Sequence, residues 1–139
     1  MIVQTPSGSS AGSAVGVAAG FAPVAIGTET DGSTVQPATR ASLYGMKVTP
    51  GSVDMAGIQP VCADFDSVGG FGKTPEDLAN ILSILHGGRD YISHLKSSWK
   101  GLAIGFVDPE LWQPADFVVE PNDGFKEQTV NTEINDFAR

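Results

Sequence analysis

Cysteine is nearly absent from this sequence, because its 139 residues contain only Cys62. A single cysteine excludes an internal disulfide, and without a CxxC pair or a Cys/His cluster the sequence offers no zinc site. We therefore expect Cys62 to pack as a small apolar side chain, and we expect the protein to use neither a metal nor a cofactor.

Basic residues are also scarce, since 8 Lys and Arg stand against 16 Asp and Glu and give a net charge of −8 at pH 7. This balance argues against binding to nucleic acids or anionic membranes and favours small molecules or proteins as partners. No segment approaches the about 20 apolar residues of a membrane span. No basic and apolar leader is present either, so the expected location is the cytoplasm, although a truncated start would also lack a signal peptide.

The residues that are plentiful indicate a globular domain. Apolar residues make up 41% of the chain and the mean hydropathy is +0.01, which is typical of a folded protein rather than a disordered one. A chain of this length suffices for one domain. The 17 glycines and 9 prolines predict many turns.

Hydrophobic spacing and helix-ending residues predict alternating helices and strands. The clearest helix runs from Pro75 to about His86, with Thr74 as its N-cap and two glycines after its end. The other predicted elements are a helix from near Ser10 to around Gly20, a strand at Val24–Thr28, a helical turn at Pro37–Ser42, a strand at Leu102–Val107 and a surface helix at Asp123–Arg139. The glycines at every fourth position of the first helix predict that another backbone packs closely against it. This alternation predicts an α/β fold.

Two short turns rich in glycine and serine carry the chemical information. The first is SGSSAGS at residues 7–13, and the second is TETDGS at residues 28–33. A glycine-rich turn beside a helix start exposes backbone N–H groups that stabilise a developing oxyanion. A serine becomes a nucleophile only when a neighbouring group accepts its proton, and a second hydroxyl can relay that proton to a base. Ser9 and Ser33 are therefore candidates for a catalytic serine pair.

These turns and their surroundings resemble the amidase signature hydrolases, whose signature segment is close to GGSSGGS…GTDxGGSIRxPA. This chain has SGSSAGS…GTETDGSTVQPA, and the resemblance continues through GMKVTPG at 45–51 to DSVGG at 66–70 and KTPED at 73–77. It covers about residues 5–88. The resemblance implies a partial amidase-signature fold, with a mixed β-sheet core flanked by helices. It also implies one partial amidase domain over residues 1–139, in which residues 89–139 supply a downstream strand and helix.

The resemblance further implies a role for each serine. Ser33 matches the nucleophile of the family, Ser9 matches a relay serine that follows a cis peptide bond, and 24 residues separate them, as in the family. The implied oxyanion hole consists of the backbone N–H groups of Thr30, Asp31, Gly32 and Ser33. The implied reaction is hydrolysis of a small-molecule carboxylic amide through a serine acyl-enzyme. Ser10, in contrast, is expected to be an N-cap of the first helix.

The family's third catalytic residue, a lysine that serves as the base, has no counterpart in this sequence. In the family it lies well upstream of the glycine-serine run, whereas only eight residues precede Ser9 here and none is a lysine. We therefore expect a truncated amidase segment that is inactive by itself and self-associates through uncovered apolar surfaces and strand edges. The alternative is a non-catalytic amidase-like scaffold. Lys47 matches a family lysine without a catalytic role, but Lys47 and Lys73 would be the first candidates for a substitute base.

Some residues favour other interpretations. Asp31 and Val35 depart from the family motif, which weakens an assignment to the aminoacyl-tRNA amidotransferase branch and leaves the substrate open. The segment SVGGFGKT at 67–74 nearly matches a phosphate loop, but serine replaces the first glycine, so a strand, a turn and a helix are preferred there. His86 and His94 stand isolated from other ligand or base residues, and we expect both to face solvent near helix ends.

Overall fold

The computed structural model describes residues 5–105. The chain divides into two compact units, Met1–Ser97 and Ser98–Arg139, and the described helices and strands belong to the first. In chain order these elements are α1 (Ala11–Ala18), β1 (Val24–Glu29), α2 (Val35–Arg40), β2 (Tyr44–Met46), β3 (Ser67–Gly72) and α3 (Pro75–Leu85), followed by a single 3₁₀ turn (Ile92–His94).

The three strands form one small sheet in the order β1-β3-β2. β1 pairs with β3 from Val24 opposite Gly72 to Glu29 opposite Ser67, and β2 pairs with the other edge of β3 from Tyr44 to Met46. The predicted α/β class is confirmed. Both strand pairs are antiparallel, so the parallel pairs expected of a mixed sheet do not occur among the described residues.

The central strand β3 is buried along its whole length, and its glycines let neighbouring elements approach closely. A Cβ atom on Gly69 would overlap the Met46 carbonyl oxygen of β2, and one on Gly70 would lie 2.7 Å from Ile81 Cγ2 of α3. The segment that nearly matches a phosphate loop is therefore the middle of a packed sheet. This confirms the preference for a strand, turn and helix at residues 67–74.

The sheet has an apolar core on each of its faces, because successive strand residues point to opposite sides. Phe71 is fully buried against α1 and α2, where it packs with Ala14, Val17 and Ala38. Val68 points to the other face and packs with Leu78 and Leu82 of α3 and with the valines at 48 and 53. The helices therefore enclose the sheet from both sides.

Helix α3 begins as the sequence predicts. The Thr74 hydroxyl accepts a hydrogen bond from the Asp77 N–H, and the Asp77 carboxylate accepts one from the Thr74 N–H, each at 3.0 Å. This reciprocal pair is a capping box, and Pro75 occupies the first helical position, where its missing N–H leaves no bond unmade. Local sequence is sufficient to specify this helix start.

Other expectations need correction or lie outside the described residues. Within residues 5–105 no atom lies within 4 Å of a Cβ placed on Gly12 or Gly16, so the expected close packing of a backbone on α1 does not occur there. Residues 102–105 form no strand, because a strand requires a hydrogen-bonded neighbour, and the rest of the predicted strand is not described. The predicted helix Asp123–Arg139 also lies outside the described residues. No helix in the described range is long and apolar enough to cross a membrane.

The two histidines differ from each other. His94 is exposed, as expected, whereas His86 is half-buried and has partners for both ring nitrogens. His86 Nδ1 lies 2.9 Å from the Leu82 carbonyl oxygen, and Nε2 lies 3.1 Å from Ser52 Oγ. The expectation that His86 faces solvent at a helix end is therefore met only in part, because the loop after β2 contacts its ring through Ser52. Cys62 is free and half-buried.

Candidate functional site

The two glycine-serine turns lie side by side at the end of β1. The Ser10 N–H donates to the Ser33 carbonyl oxygen at 3.1 Å. The Ser10 hydroxyl both accepts from the Thr28 N–H and donates to the Thr28 carbonyl oxygen, each at 3.2 Å. Ser10 therefore stands at the N-cap position of α1 without capping it through its side chain, which corrects the expectation for this residue. Its hydroxyl instead ties the first turn to β1.

These contacts bring the backbone turns that carry Ser9 and Ser33 together. The Gly8–Ser9 peptide bond is cis, as the resemblance implies. Ser9 is exposed and Ser33 is half-buried, and in the described part of the chain neither hydroxyl has a hydrogen-bond partner. Both hydroxyls are thus free to contact a ligand. A third link joins the turns, because the Ser7 hydroxyl donates to Gln36 Oε1 of α2 at 2.7 Å.

A buried carboxylate organises the turn around Ser33. Glu29, the last residue of β1, is only 5% exposed. Its Oε1 accepts from the Gly32 N–H at 2.8 Å, and its Oε2 accepts from the N–H groups of Thr34 and Val35 at 2.7 and 2.9 Å. Two of these N–H groups belong to the start of α2, where a carboxylate is favoured by the orphan donors and the helix dipole.

Sequence reasoning missed Glu29 as a functional residue. The signal was present, because Glu29 stands where the family motif GTDxGGS has its aspartate. An acidic side chain at that position can reach the N–H groups that follow it in the turn. The motif therefore contains a carboxylate that holds the turn as well as the candidate nucleophile Ser33.

The Glu29 contacts change the expected oxyanion hole. The Gly32 N–H is bound to the carboxylate and does not face open space, so Gly32 has to be removed from the expected set of donors. Among the described residues, the N–H groups of Thr30, Asp31 and Ser33 have no hydrogen-bond acceptor. Three of the four expected donors therefore remain available. The side chain of Asp31 is exposed.

Lys47, just after β2, holds the same turn from another side. Its ammonium donates to the carbonyl oxygens of Thr30 and Phe65 at 2.6 Å each and to that of Glu29 at 3.2 Å. An ammonium has three donor hydrogens and no acceptor, so all of its capacity is used. Lys47 is thus not placed to accept a proton from a serine, which removes it as a substitute base.

Lys73 is placed no better. It comes directly after Gly72, which pairs with Val24, the first residue of β1. Ser33, in contrast, lies in the turn beyond Glu29, the last residue of β1. Six residues of strand separate the two ends, which corresponds to about 20 Å. Neither Lys47 nor Lys73 is therefore in position to accept a proton from the serine pair.

Asp66 completes the surroundings of the turn. It is buried, its Oδ1 accepts from the Thr30 hydroxyl at 2.5 Å, and its Oδ2 accepts from the N–H groups of Val61 and Cys62 at 2.6 and 2.9 Å. The Thr30 hydrogen bond, followed by the two backbone hydrogen bonds and the charge of Lys47, holds the pKa of Asp66 below its ordinary value against an opposing effect of burial. No cluster of His, Cys, Asp and Glu within residues 5–105 is arranged to bind a metal ion.

Comparisons with known proteins agree with this geometry. The family model described as Amidase matches residues 3–118. The glutamyl-tRNA(Gln) amidotransferase A subunit of Alkaliphilus metalliredigens is 35% identical over 139 residues, which cover 91% of this chain and 28% of that protein. The corresponding protein of Deinococcus radiodurans is 43% identical over 84 residues, which cover 60% of this chain and 17% of that protein. The chain therefore spans less than a third of the length of these curated relatives.

Solved structures show the same relationship in three dimensions. The native peptide amidase of Stenotrophomonas maltophilia is 44% identical with a TM-score of 0.58, over 65% of this chain and 18% of that one. An amidase family protein from Bacillus anthracis is also 44% identical, with a TM-score of 0.57 over 59% of this chain and 16% of that one. The family match over most of the chain confirms the resemblance carried by the two glycine-serine turns, and the chain belongs to the amidase family.

Proposed function

We propose that the protein contributes the serine half of an amidase active site, in which a carboxylic amide is hydrolysed through an acyl-enzyme. Ser33 attacks the amide carbonyl and forms the covalent ester, and the amine leaves with a proton. Ser9 relays protons between Ser33 and a lysine supplied from outside residues 1–139. Water then releases the acid and restores Ser33.

One observation carries this proposal: the turn between β1 and α2 leaves the backbone N–H groups of Thr30, Asp31 and Ser33 without a partner, while those of Gly32, Thr34 and Val35 are bonded to Glu29. Thr30 and Ser33 are half-buried, and half-buried N–H groups are ordinarily hydrogen-bonded, so their free donors beside a free serine hydroxyl need an explanation. A tetrahedral intermediate supplies one, because its negative oxygen requires donors fixed before the reaction begins. Thr30, Asp31 and Ser33 are the proposed donors.

The substrate class follows from what the relatives have in common. The names of the relatives refer to a peptide amidase and to part of an amidotransferase, which are both consistent with chemistry at a carboxylic amide. We propose a small-molecule amide as the substrate of this chain's site, because its charge of −8 does not favour a nucleic-acid partner. We also propose a cytoplasmic location.

The test inserts residues 5–88 of this chain in place of the matching segment of the Stenotrophomonas maltophilia peptide amidase, which supplies the remainder of an active site. We expect this chimera to hydrolyse a panel of primary amides, and we expect Ser33→Ala to abolish turnover because the covalent route is lost. The matched control is Ser10→Ala, which removes a neighbouring hydroxyl that binds only backbone. Equal losses in the two variants would show that Ser33 is not the nucleophile.

A second candidate function is a non-catalytic amidase-like scaffold, and the engagement of Lys47 favours it. Since proton transfer by a positioned group is worth about 10²–10⁴-fold, a serine pair without a base is expected to be inactive. The purified chain should then show no amide hydrolysis above its Ser33→Ala variant and should elute as an oligomer in size-exclusion chromatography. Ser33-dependent turnover by a monomer would contradict both expectations.

A further inference from the structure

Lys47 contacts two successive peptide units of the turn, and this fixes the direction of their N–H groups. The carbonyl of Glu29 shares a peptide unit with the Thr30 N–H, and the carbonyl of Thr30 shares one with the Asp31 N–H. Among residues 5–105 the only cis bond is Gly8–Ser9, so both units are trans. In a trans peptide the C=O and N–H bonds point in opposite directions. Because both carbonyls point at the Lys47 ammonium, the two N–H groups point away from it.

The same contacts strengthen these N–H groups as donors. A positive charge on a carbonyl oxygen draws electron density from the amide, and chains of hydrogen bonds in a protein interior polarise one another. Hydrogen bonds from an ammonium are among the stronger ones. The Thr30 and Asp31 N–H groups are therefore both aimed and polarised by Lys47. The third contact, to the Phe65 carbonyl, ties the ammonium to the segment that leads into β3.

Asp66 holds the same residue through its side chain. Its carboxylate accepts a hydrogen bond from the Thr30 hydroxyl, and it is held in place by further hydrogen bonds from the N–H groups of Val61 and Cys62. The next residue begins β3, the buried central strand. Thr30 is thus held at its carbonyl by Lys47 and at its hydroxyl by Asp66, and its peptide units have little freedom to rotate.

We propose that Lys47 and Asp66 are positioning residues for the reaction: they orient and polarise the backbone N–H groups of Thr30 and Asp31 toward the oxygen of the bound amide. This inference rests on the proposed function for its purpose, but the orientation of the two N–H groups can be measured without any turnover.

The experiment records amide resonances of the ¹⁵N-labelled full chain by nuclear magnetic resonance. We expect Lys47→Met to move the Thr30 and Asp31 amide protons upfield, because the polarising charge is lost, and Lys47→Arg to restore part of the shift. The matched control is Lys73→Met at the far end of β1, which should leave both resonances in place. The resonances of Val68 and Phe71 in β3 report whether each variant is folded.

A second arm measures kinetics in the peptide amidase chimera. Loss of one oxyanion donor costs about 10²–10³-fold in kcat, so we expect Lys47→Met to lower kcat by about 10²-fold with little change in KM. Unchanged Thr30 and Asp31 resonances in a folded Lys47→Met chain would overturn the role of Lys47, whatever the kinetics. If Lys47→Met does not fold, Thr30→Val decides the role of Asp66, because it removes only the bonded hydroxyl and should still shift both amide protons. A chimera without Ser33-dependent turnover would instead overturn the proposed function and leave the resonance test standing.

Discussion

The two ends of the β1/β3 ladder contain similar residues that are used in different ways. At the end where β1 stops, Glu29 and Lys47 are fully engaged with backbone groups of the Ser33 turn. At the end where β3 stops, Lys73 and Glu76 are exposed, and the polar contacts are those of the Thr74 capping box. One end fixes the backbone of a site, whereas the other only begins a helix.

The two ends differ in the sequence separation of the residues that their contacts join. The capping box joins residues three positions apart, so it forms as soon as the helix forms. The contacts of Lys47 and Asp66 with Thr30 join residues 17 and 36 positions apart, so they exist only after the strands have paired. The site end is therefore the part of the molecule that depends most on the complete fold.

The largest effect on stability is expected from Glu29→Gln. A glutamine side chain has one acceptor oxygen and a donor amide, so at least one of the three N–H groups loses its acceptor in a buried setting. An unsatisfied buried group of this kind costs about 1–3 kcal/mol, and we expect a loss in the upper part of that range. Urea denaturation of the purified chain provides the measurement.

The matched control for this change is Glu76→Gln in the first turn of α3. Glu76 is exposed and acts only through the helix dipole, so its loss should cost about 0.5 kcal/mol. A similar loss in both variants would mean that the two ends do not differ in the way described.

A smaller effect is expected from Thr74→Ala at the other end of the ladder. Removal of an N-cap side chain costs about 1 kcal/mol, and here the Asp77 N–H loses its acceptor. Because the capping box is local, the Ser33 turn should be unaffected, and the Thr30 and Asp31 amide resonances should stay in place. Movement of those resonances would show that the two ends are coupled.

The smallest effect on stability is expected from Asp66→Asn, and it depends on pH only in the acidic range. The pKa of Asp66 is lowered in the folded protein, chiefly by the Thr30 hydroxyl, so the carboxylate stays ionised to a lower pH than in the unfolded chain. The stability that it contributes is therefore present above its ordinary value of 3.8 and is lost as the pH falls through the lowered value. Asp66→Asn removes this titration.

Denaturation curves of the two proteins between neutral pH and about pH 2 test this expectation. The difference in unfolding free energy between the native chain and Asp66→Asn should shrink below about pH 4. A difference that is constant or that grows with acidity would contradict the assigned sign.

The sequence was most informative where structure is local. Thr74, Pro75 and Asp77 specify the start of α3 by themselves, and the apolar stretch at Val24 specifies β1. It was least informative for β2, whose three residues become a strand only because β3 lies beside them. Helix α2 begins at Val35, two residues before the predicted Pro37, because Glu29 binds the N–H groups at its start.

For the candidate site, the sequence by itself determined the chemical groups, and the tertiary structure decided how each is used. The spacing of Ser9 and Ser33 is part of the sequence motif and can be recognised without the fold. The partners of Glu29, Lys47 and Asp66 are backbone groups, which carry no sequence identity and come within reach only when the strands pair. A charged side chain that is buried away from water requires hydrogen-bond partners from the protein. Only the folded chain could therefore show which N–H groups of the turn are bound and which stay free.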